Sequence, residues 1–383
     1  MAVVSAKVRT YKMLDAWRGF ASLWVVMIHA SSAFLPRDPQ GAIRPLCAFA
    51  MLGYLGVQVF FVVSGYCIAN SASVALERES KSAPVRFMRA RLRRIFPPCW
   101  WSLVFFAAVS ILARRMVTSG WVGSSVLAQQ DVLHQKPLYF IANLTLTQCL
   151  LKQPFLSSPC WTLCYEVAFY GIVGLALLLL RGRNHQTLLT ALHMVTIAAL
   201  CLLILAPAYR FYPLDFWPQF GLGIVVYDCV TQPRSRRARL LALVIGLQTL
   251  LLGFQRSFPI SAMGFPSAQT YLFCLGFAVT LLLAYPHDQR ISQWPGVKWL
   301  GAIGVFSYSL YLIHYLLVGC VSQIVKLAGV PQSLYLVCWL LAILAAVGTA
   351  RLFYEYFERP YMNSQRKPQR RKVPLAEALP EKA

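Results

Sequence analysis

Long apolar runs separated by short polar connections recur along the whole chain, and their lengths predict helices that cross a bilayer. Ten such runs stand at residues 14–35, 52–74, 95–114, 160–180, 187–206, 212–229, 240–255, 269–286, 301–325 and 333–356, the sixth and seventh being short. The expected fold class is therefore all-α, a polytopic integral membrane protein of about ten transmembrane helices. The first run is too long for a secretory signal and lacks a small-residue cleavage site, so it is expected to remain as a helix. No internal repeat is visible, which disfavours a transporter of duplicated halves. The pattern divides the chain into a cytoplasmic N-terminus at 1–13, a membrane domain at 14–357 and a basic, disordered tail at 358–383.

Composition agrees: 58% of the 383 residues are hydrophobic and 13% charged, against about 25% charged in a soluble domain. The net charge of +23 would suit nucleic acid only if the basic residues shared one solvated face. They punctuate the apolar runs instead. Assigned alternately to two sides, they concentrate about threefold on the side holding Lys7, Arg9, Lys12, residues 78–94, 234–239 and 366–372. Arg37, Arg44, Lys136 and Lys152 fall opposite, and the positive-inside rule makes both termini cytoplasmic. The connection over 115–159 is the longest on the outer side and suits a lid or partner surface. Eleven cysteines, scattered through apolar runs, argue against a disulfide framework or metal cluster. Cys149 and Cys160 remain a candidate pair outside the membrane.

Ionisable groups inside the apolar runs carry the functional signal, because each is costly in lipid. In LDAWRGFASLWVVMIH, Arg18 and His29 are eleven residues apart and share one helix face with Asp15 and Ser22, spanning roughly 16 Å of rise. Arg91 and Arg94, like Arg86 and Arg89, are three apart before the third span. Such a cluster suits donor phosphates, lipid head groups or a topology signal equally. Glu166 enters the fourth span from the outer side with Thr162 and Tyr170 on its face. Counted by depth, it reaches the level of His29 and would orient that imidazole. Gly304, Ser307, Tyr311 and His314 form a stripe in the ninth span. In the second span, close packing accounts for Gly53, Gly56 and Gly65, while Gln58 and Ser64 are polar at depth. His193 reads as structural, and Glu358 with Arg359 as a helix end.

The blocks LDAWRGFASLWVVMIH, GVQVFFVVSGYCI, RLRRIFPPCWW, WTLCYEVAFY, FSYSLYLIHY and FERPY, in that order, resemble the acyltransferase-3 family of polytopic membrane acyltransferases. Trp17, Cys99 and Trp100 depart from its usual pattern. The resemblance implies a stand-alone O-acyltransferase of a bacterial inner membrane. It would move an acyl group, typically acetyl, from cytoplasmic acyl-CoA to a hydroxyl of a carbohydrate or lipid-linked glycan. It assigns donor binding to Arg18, Arg91 and Arg94 and catalysis to His29, Glu166 and His314. His29 would act as base or carry the acyl group, with membrane lipid as surroundings and neither metal nor nucleic acid involved. A neutral imidazole is needed, so activity is expected to fall below about pH 6.5, the ordinary histidine pKa. The competing reading is a transporter or flippase using the same polar track.

Overall fold

The computed structural model describes residues 11–36, 40–78, 81–121, 131–206, 211–255 and 268–362. Lys7, Arg9, Arg37 and the tail beyond Met362 lie outside them. Every regular element among the described residues is helical: α1 Met13–Phe34, α2 Arg44–Met51, α3 Leu55–Arg78, α4 Ala83–Thr118, α5 Pro137–Thr145, α6 Gln148–Leu151, α7 Cys160–Leu179 and α8 His185–Leu205. There follow α9 Trp217–Thr231, α10 Arg236–Phe254, α11 Ala268–Ala284, α12 Asp288–Ile291, α13 Pro295–Val305, α14 Ser307–Leu327 and α15 Tyr335–Phe353. Eight stretches of described helix are long and apolar enough to cross a membrane. The protein is an all-α polytopic membrane protein. Helix α1 has 22 residues but is diluted by Asp15, Arg18 and His29, and α9 has only 15. These two match the first and sixth apolar runs of the sequence.

We call the face at which α1 begins the near face and the opposite one the far face. Helix α3 returns antiparallel to α1, with Gly53 packed on the Trp24 carbonyl, Gly56 on that of Ala21 and Cys67 level with Arg18. Those glycines act in packing, as their spacing suggested. At the centre, α9 is buried along almost its full length. Gly65 of α3 lies on the Phe220 carbonyl and Gly223 of α9 on that of Val62, a mutual approach that a methyl group on either would prevent.

Two elements differ from the expected spans. The third begins twelve residues early: α4 runs unbroken from Ala83, so the basic run is itself helical, and Pro97 and Pro98 sit inside it. Membrane helices accept proline, and beside this pair Tyr308 of α14 donates to the Ile95 carbonyl at 2.8 Å. The ninth run is cut at Phe306 into α13 and α14. Helix α13 crosses α1 backbone to backbone, with Gly19 on the Leu300 carbonyl and Gly304 on that of Asp15.

The long far-face connection holds α5 and α6 around a buried amide. Asn143 donates to the Tyr139 and Pro154 carbonyls and accepts from Gln148 Nε2 and the Leu156 amide. Outside the spans, Asp131 meets His134 and Arg114, and these hold its carboxyl below the usual range, His134 foremost. All eleven cysteines are free thiols. The candidate pair Cys149–Cys160 is not formed: Cys160 is buried beside Cys99 of α4, and Cys149 lies near Cys164.

Candidate functional site

Helices α1, α3, α4, α7 and α14 enclose an open-ended cavity. Arg18, Arg91, Arg94, Glu166, Tyr170, Tyr308 and Tyr311 are among its lining residues. The guanidiniums are held differently. Arg18 donates to Asp15 at 3.2 Å and to Cys67 Sγ at 3.1 Å. Arg91 donates to the Cys67 carbonyl at 2.9 Å and to Ser71 Oγ, and lies against the Phe87 and Tyr170 rings. Arg94 lines the cavity without a hydrogen-bond or ion-pair partner among the described residues. Three guanidiniums and one carboxylate line the cavity, with Asp15 paired to Arg18 and Glu358 within electrostatic range of Arg94 and Arg18. The cavity adjoins a wider basin lined by Arg86, Arg89 and Arg93 together with Asn70 and Ser71.

Behind Tyr311, outside the cavity lining, lie two imidazoles. The Tyr311 ring lies 5.7 Å from that of His314, and the His314 ring 5.1 Å from that of His29. Tyr315 closes on His29 edge-on at 5.2 Å. His314 Nδ1 lies 2.7 Å from the Tyr311 carbonyl and 3.1 Å from that of Leu310. Only an N–H can serve a carbonyl, so this fixes the Nδ1-protonated tautomer and leaves Nε2 with a lone pair. That Nε2 is buried and has no hydrogen-bond partner among the described residues.

The structure thus brings Arg18, Arg91, Arg94 and Glu166 to one cavity and pairs His29 with His314 behind its Tyr311 wall. It does not join Glu166 to His29. Glu166 accepts from Ser64 at 2.9 Å and from Tyr170 at 2.7 Å and faces Arg18. The depth count misplaced it because it set the bilayer boundary at the start of α7, whereas Cys160 and Ser157 there are already buried. His314 is the neighbour His29 has. The stripe over Ser307, Tyr311 and His314 holds, with Thr162 donating to Tyr311 at 2.8 Å, while Gly304 belongs to the preceding helix. His193 is structural, as expected: its Nε2 meets Asp228 at 3.0 Å, and Arg237 clamps the same carboxylate with two bonds. Sequence reasoning missed Glu358, which is 1% exposed and accepts from the Ser309 amide and hydroxyl. Its place in a run of charged residues after an apolar helix masked it. No group of three or more potential metal ligands occurs among the described residues.

The family model described as an acyltransferase domain matches residues 11–355, which includes the arginines, Glu166 and both histidines but not Glu358. The chain belongs to the acyltransferase-3 family. It is an acyltransferase. It is 28% identical over 318 residues to the putative membrane-bound transacylase BcsY of Komagataeibacter xylinus, covering 79% of this chain and 71% of that one. It is 22% identical over 374 residues to the O-acetyltransferase OatA of Staphylococcus aureus, covering 91% of this chain and 56% of OatA. The chain therefore spans little more than half the length of that relative. A third similarity, 28% over 172 residues, is to protein 2 in the picA locus of Rhizobium radiobacter, covering 42% of this chain and 78% of that one. No solved structure matches.

Proposed function

We propose that this acyltransferase binds an acyl-CoA, acetyl-CoA foremost, at the arginine end of the cavity. From there it passes the acyl group to a hydroxyl of a carbohydrate or lipid-linked glycan at the histidine pair. The name of OatA supports acetyl and an oxygen acceptor; the acceptor class follows the family resemblance. The near face is the cytoplasmic one, with ten spans, both termini inside and the inner membrane as the location, a reading supported by the asymmetry of basic residues. The observation that carries the proposal is Arg94, without a partner among the described residues, in a cavity whose wall residue Tyr311 packs against the second of two facing imidazoles.

In this reading Arg94, with Arg91 and Arg18, holds the donor phosphates through charge-assisted bonds. Glu166, fixed by Ser64 and Tyr170, balances Arg18 rather than orienting His29. The thioester reaches the far end past Tyr308 and Tyr311. His29 removes the acceptor hydroxyl proton as the alkoxide oxygen bonds to the thioester carbon. The free lone pair on His314 Nε2 stabilises the imidazolium so formed. The C–S bond then breaks and the thiolate takes the proton from His29, leaving an ester and free coenzyme A. Both histidines return to neutral.

The test uses the purified enzyme in liposomes with acetyl-CoA and a glycan acceptor, following release of free thiol. Losing one phosphate contact of about 1.5–3 kcal/mol is roughly 10- to 150-fold in binding. Arg94→Gln is therefore expected to raise the donor KM by that factor with a smaller change in kcat. An unchanged KM would remove Arg94 from the donor site.

A further inference from the structure

The two helices that bring their histidines together begin without caps of their own. The residue preceding α1 is Lys12 and that preceding α14 is Phe306, and neither offers a side-chain hydrogen bond to its helix. By contrast, α8 and α10 cap themselves through Asn184 and Ser235. First-turn N–H groups left bare in a low-dielectric interior are costly, so something else must accept them. In both cases it is a buried carboxylate from another helix. Asp288, at the start of α12 and 6% exposed, accepts from the Lys12 amide at 3.0 Å and the Met13 amide at 2.9 Å, one bond to each oxygen. Glu358 accepts with one oxygen from the Ser309 amide at 3.1 Å and the Ser309 hydroxyl at 2.5 Å.

We propose that Asp288 and Glu358 are positioning residues for acyl transfer: each caps in trans one histidine-bearing helix, and together they set the axial registry at which His29 and His314 meet. The inference rests on the acyl-transfer reading above. Helices slide along their axes more easily than they part, and one residue of slip moves a side chain about 1.5 Å and turns it about 100°. A misplacement of about 1 Å can cost on the order of 100-fold in rate. The carboxylates oppose such slip because each takes two donors of one helix and is anchored on a separate element. Glu358 lies in a π-helical turn, Tyr354–Glu358, that continues α15, and the added residue of such a turn redirects its side chains. Ser309 lies one residue after Tyr308 and five before His314, so the same contact sets the cavity wall and the catalytic ring. Asp288 acts likewise at the foot of α1, below Arg18 and His29. The stabilising effect on a helix N-terminus is electrostatic as well as bonded, since the helix dipole places partial positive charge there.

Glu358 also lies within electrostatic range of Arg94 and Arg18, so a charge role toward the donor is the competing account. Conservative variants separate the two. Glu358→Gln and Asp288→Asn keep a carbonyl oxygen at the cap and lose the charge; Glu358→Ala and Asp288→Ala lose both. The enzyme is assayed at matched membrane abundance for kcat and donor KM. First-turn amides of α1 and α14 are followed by hydrogen exchange, which needs no turnover. Glu358→Gln, which keeps the single accepting oxygen, is expected within about threefold of wild type, and Asp288→Asn, which keeps one of two, is expected to fall between wild type and Asp288→Ala. The alanine variants are expected to lose kcat about 10- to 100-fold at a KM within threefold, with faster exchange confined to the uncapped turn. If an alanine variant does not fold, Ser309→Ala decides for α14: it removes only the hydroxyl bond and is expected to lower kcat severalfold at constant KM. Equal losses in Glu358→Gln and Glu358→Ala, or a rise in KM alone, would assign a charge role and overturn the proposal. So would alanine variants with wild-type kcat or unchanged exchange. A wild-type enzyme that shows no transfer strikes the acyl-transfer reading, while exchange still reports on the caps.

Discussion

Asn143 uses all four hydrogen-bonding positions of its amide within the far-face connection. It begins the sequon Asn143, Leu144, Thr145, yet with its side chain enclosed at 2% exposure it has no room for a glycan. Burial, which a triplet does not encode, decides the matter. His314 has the same dependence on context. The sequence places it on the right stripe, but only the fold shows which nitrogen is free. His314→Asn supplies an amide nitrogen near the position of Nδ1, so the bonds to the Leu310 and Tyr311 carbonyls are kept and the Nε2 lone pair is removed. Thermal melting in detergent is expected to stay within a few degrees of wild type, while kcat falls by about 100-fold or more, the usual weight of general-base assistance. Retained activity would make His314 a packing residue. Glu166 was legible as functional from its cost in lipid, but not its partner. Depth counted along one helix ignores how far the other elements cover its start.

Among the elements, α1 and α13 are the closest pair by backbone, and Gly19 and Gly304 are what permits it. A methyl at position 304 would overlap the Asp15 carbonyl, whereas one at Gly276 on α11 meets open space. Gly304→Ala is therefore expected to displace α13 and α1 and to abolish both folding yield and activity. Gly276→Ala should be neutral or stabilising by up to about 1 kcal/mol, the helix propensity difference. Melting temperature and membrane abundance read both, and similar behaviour of the two variants would contradict the close crossing. The apolar runs made most of the bundle legible because hydropathy over about twenty residues is a strong signal. The break at Phe306 was not, since an apolar residue interrupts no hydropathy pattern. Nor was the helical start of α4, where basic residues compatible with a helix read as a loop.

For the molecule as a whole, the asymmetry of basic residues orients a bundle whose functional groups run from guanidiniums near one face to imidazoles toward the other. The family match across residues 11–355 agrees with the order of motifs in the chain, and neither fixes orientation. Alkaline phosphatase fused after His134 is expected to be active, and green fluorescent protein at the C-terminus to fluoresce, which together place the far-face connection outside and the terminus inside. The reverse pattern would invert the donor and acceptor faces. The arrangement of charge was legible in the chain because topology signals are local. The trans caps by Asp288 and Glu358 were not, since they join residues 276 and 49 positions apart.

The central claim is that the histidine pair transfers an acyl group to a glycan hydroxyl. It is tested most directly by proton NMR of O-acetyl groups on envelope glycans in three strains of the native host. These are a deletion, the deletion with wild type, and the deletion with His29→Ala at matched membrane abundance. The account predicts that the acetyl resonance returns with wild type and stays absent with His29→Ala. A resonance restored by both proteins would contradict it.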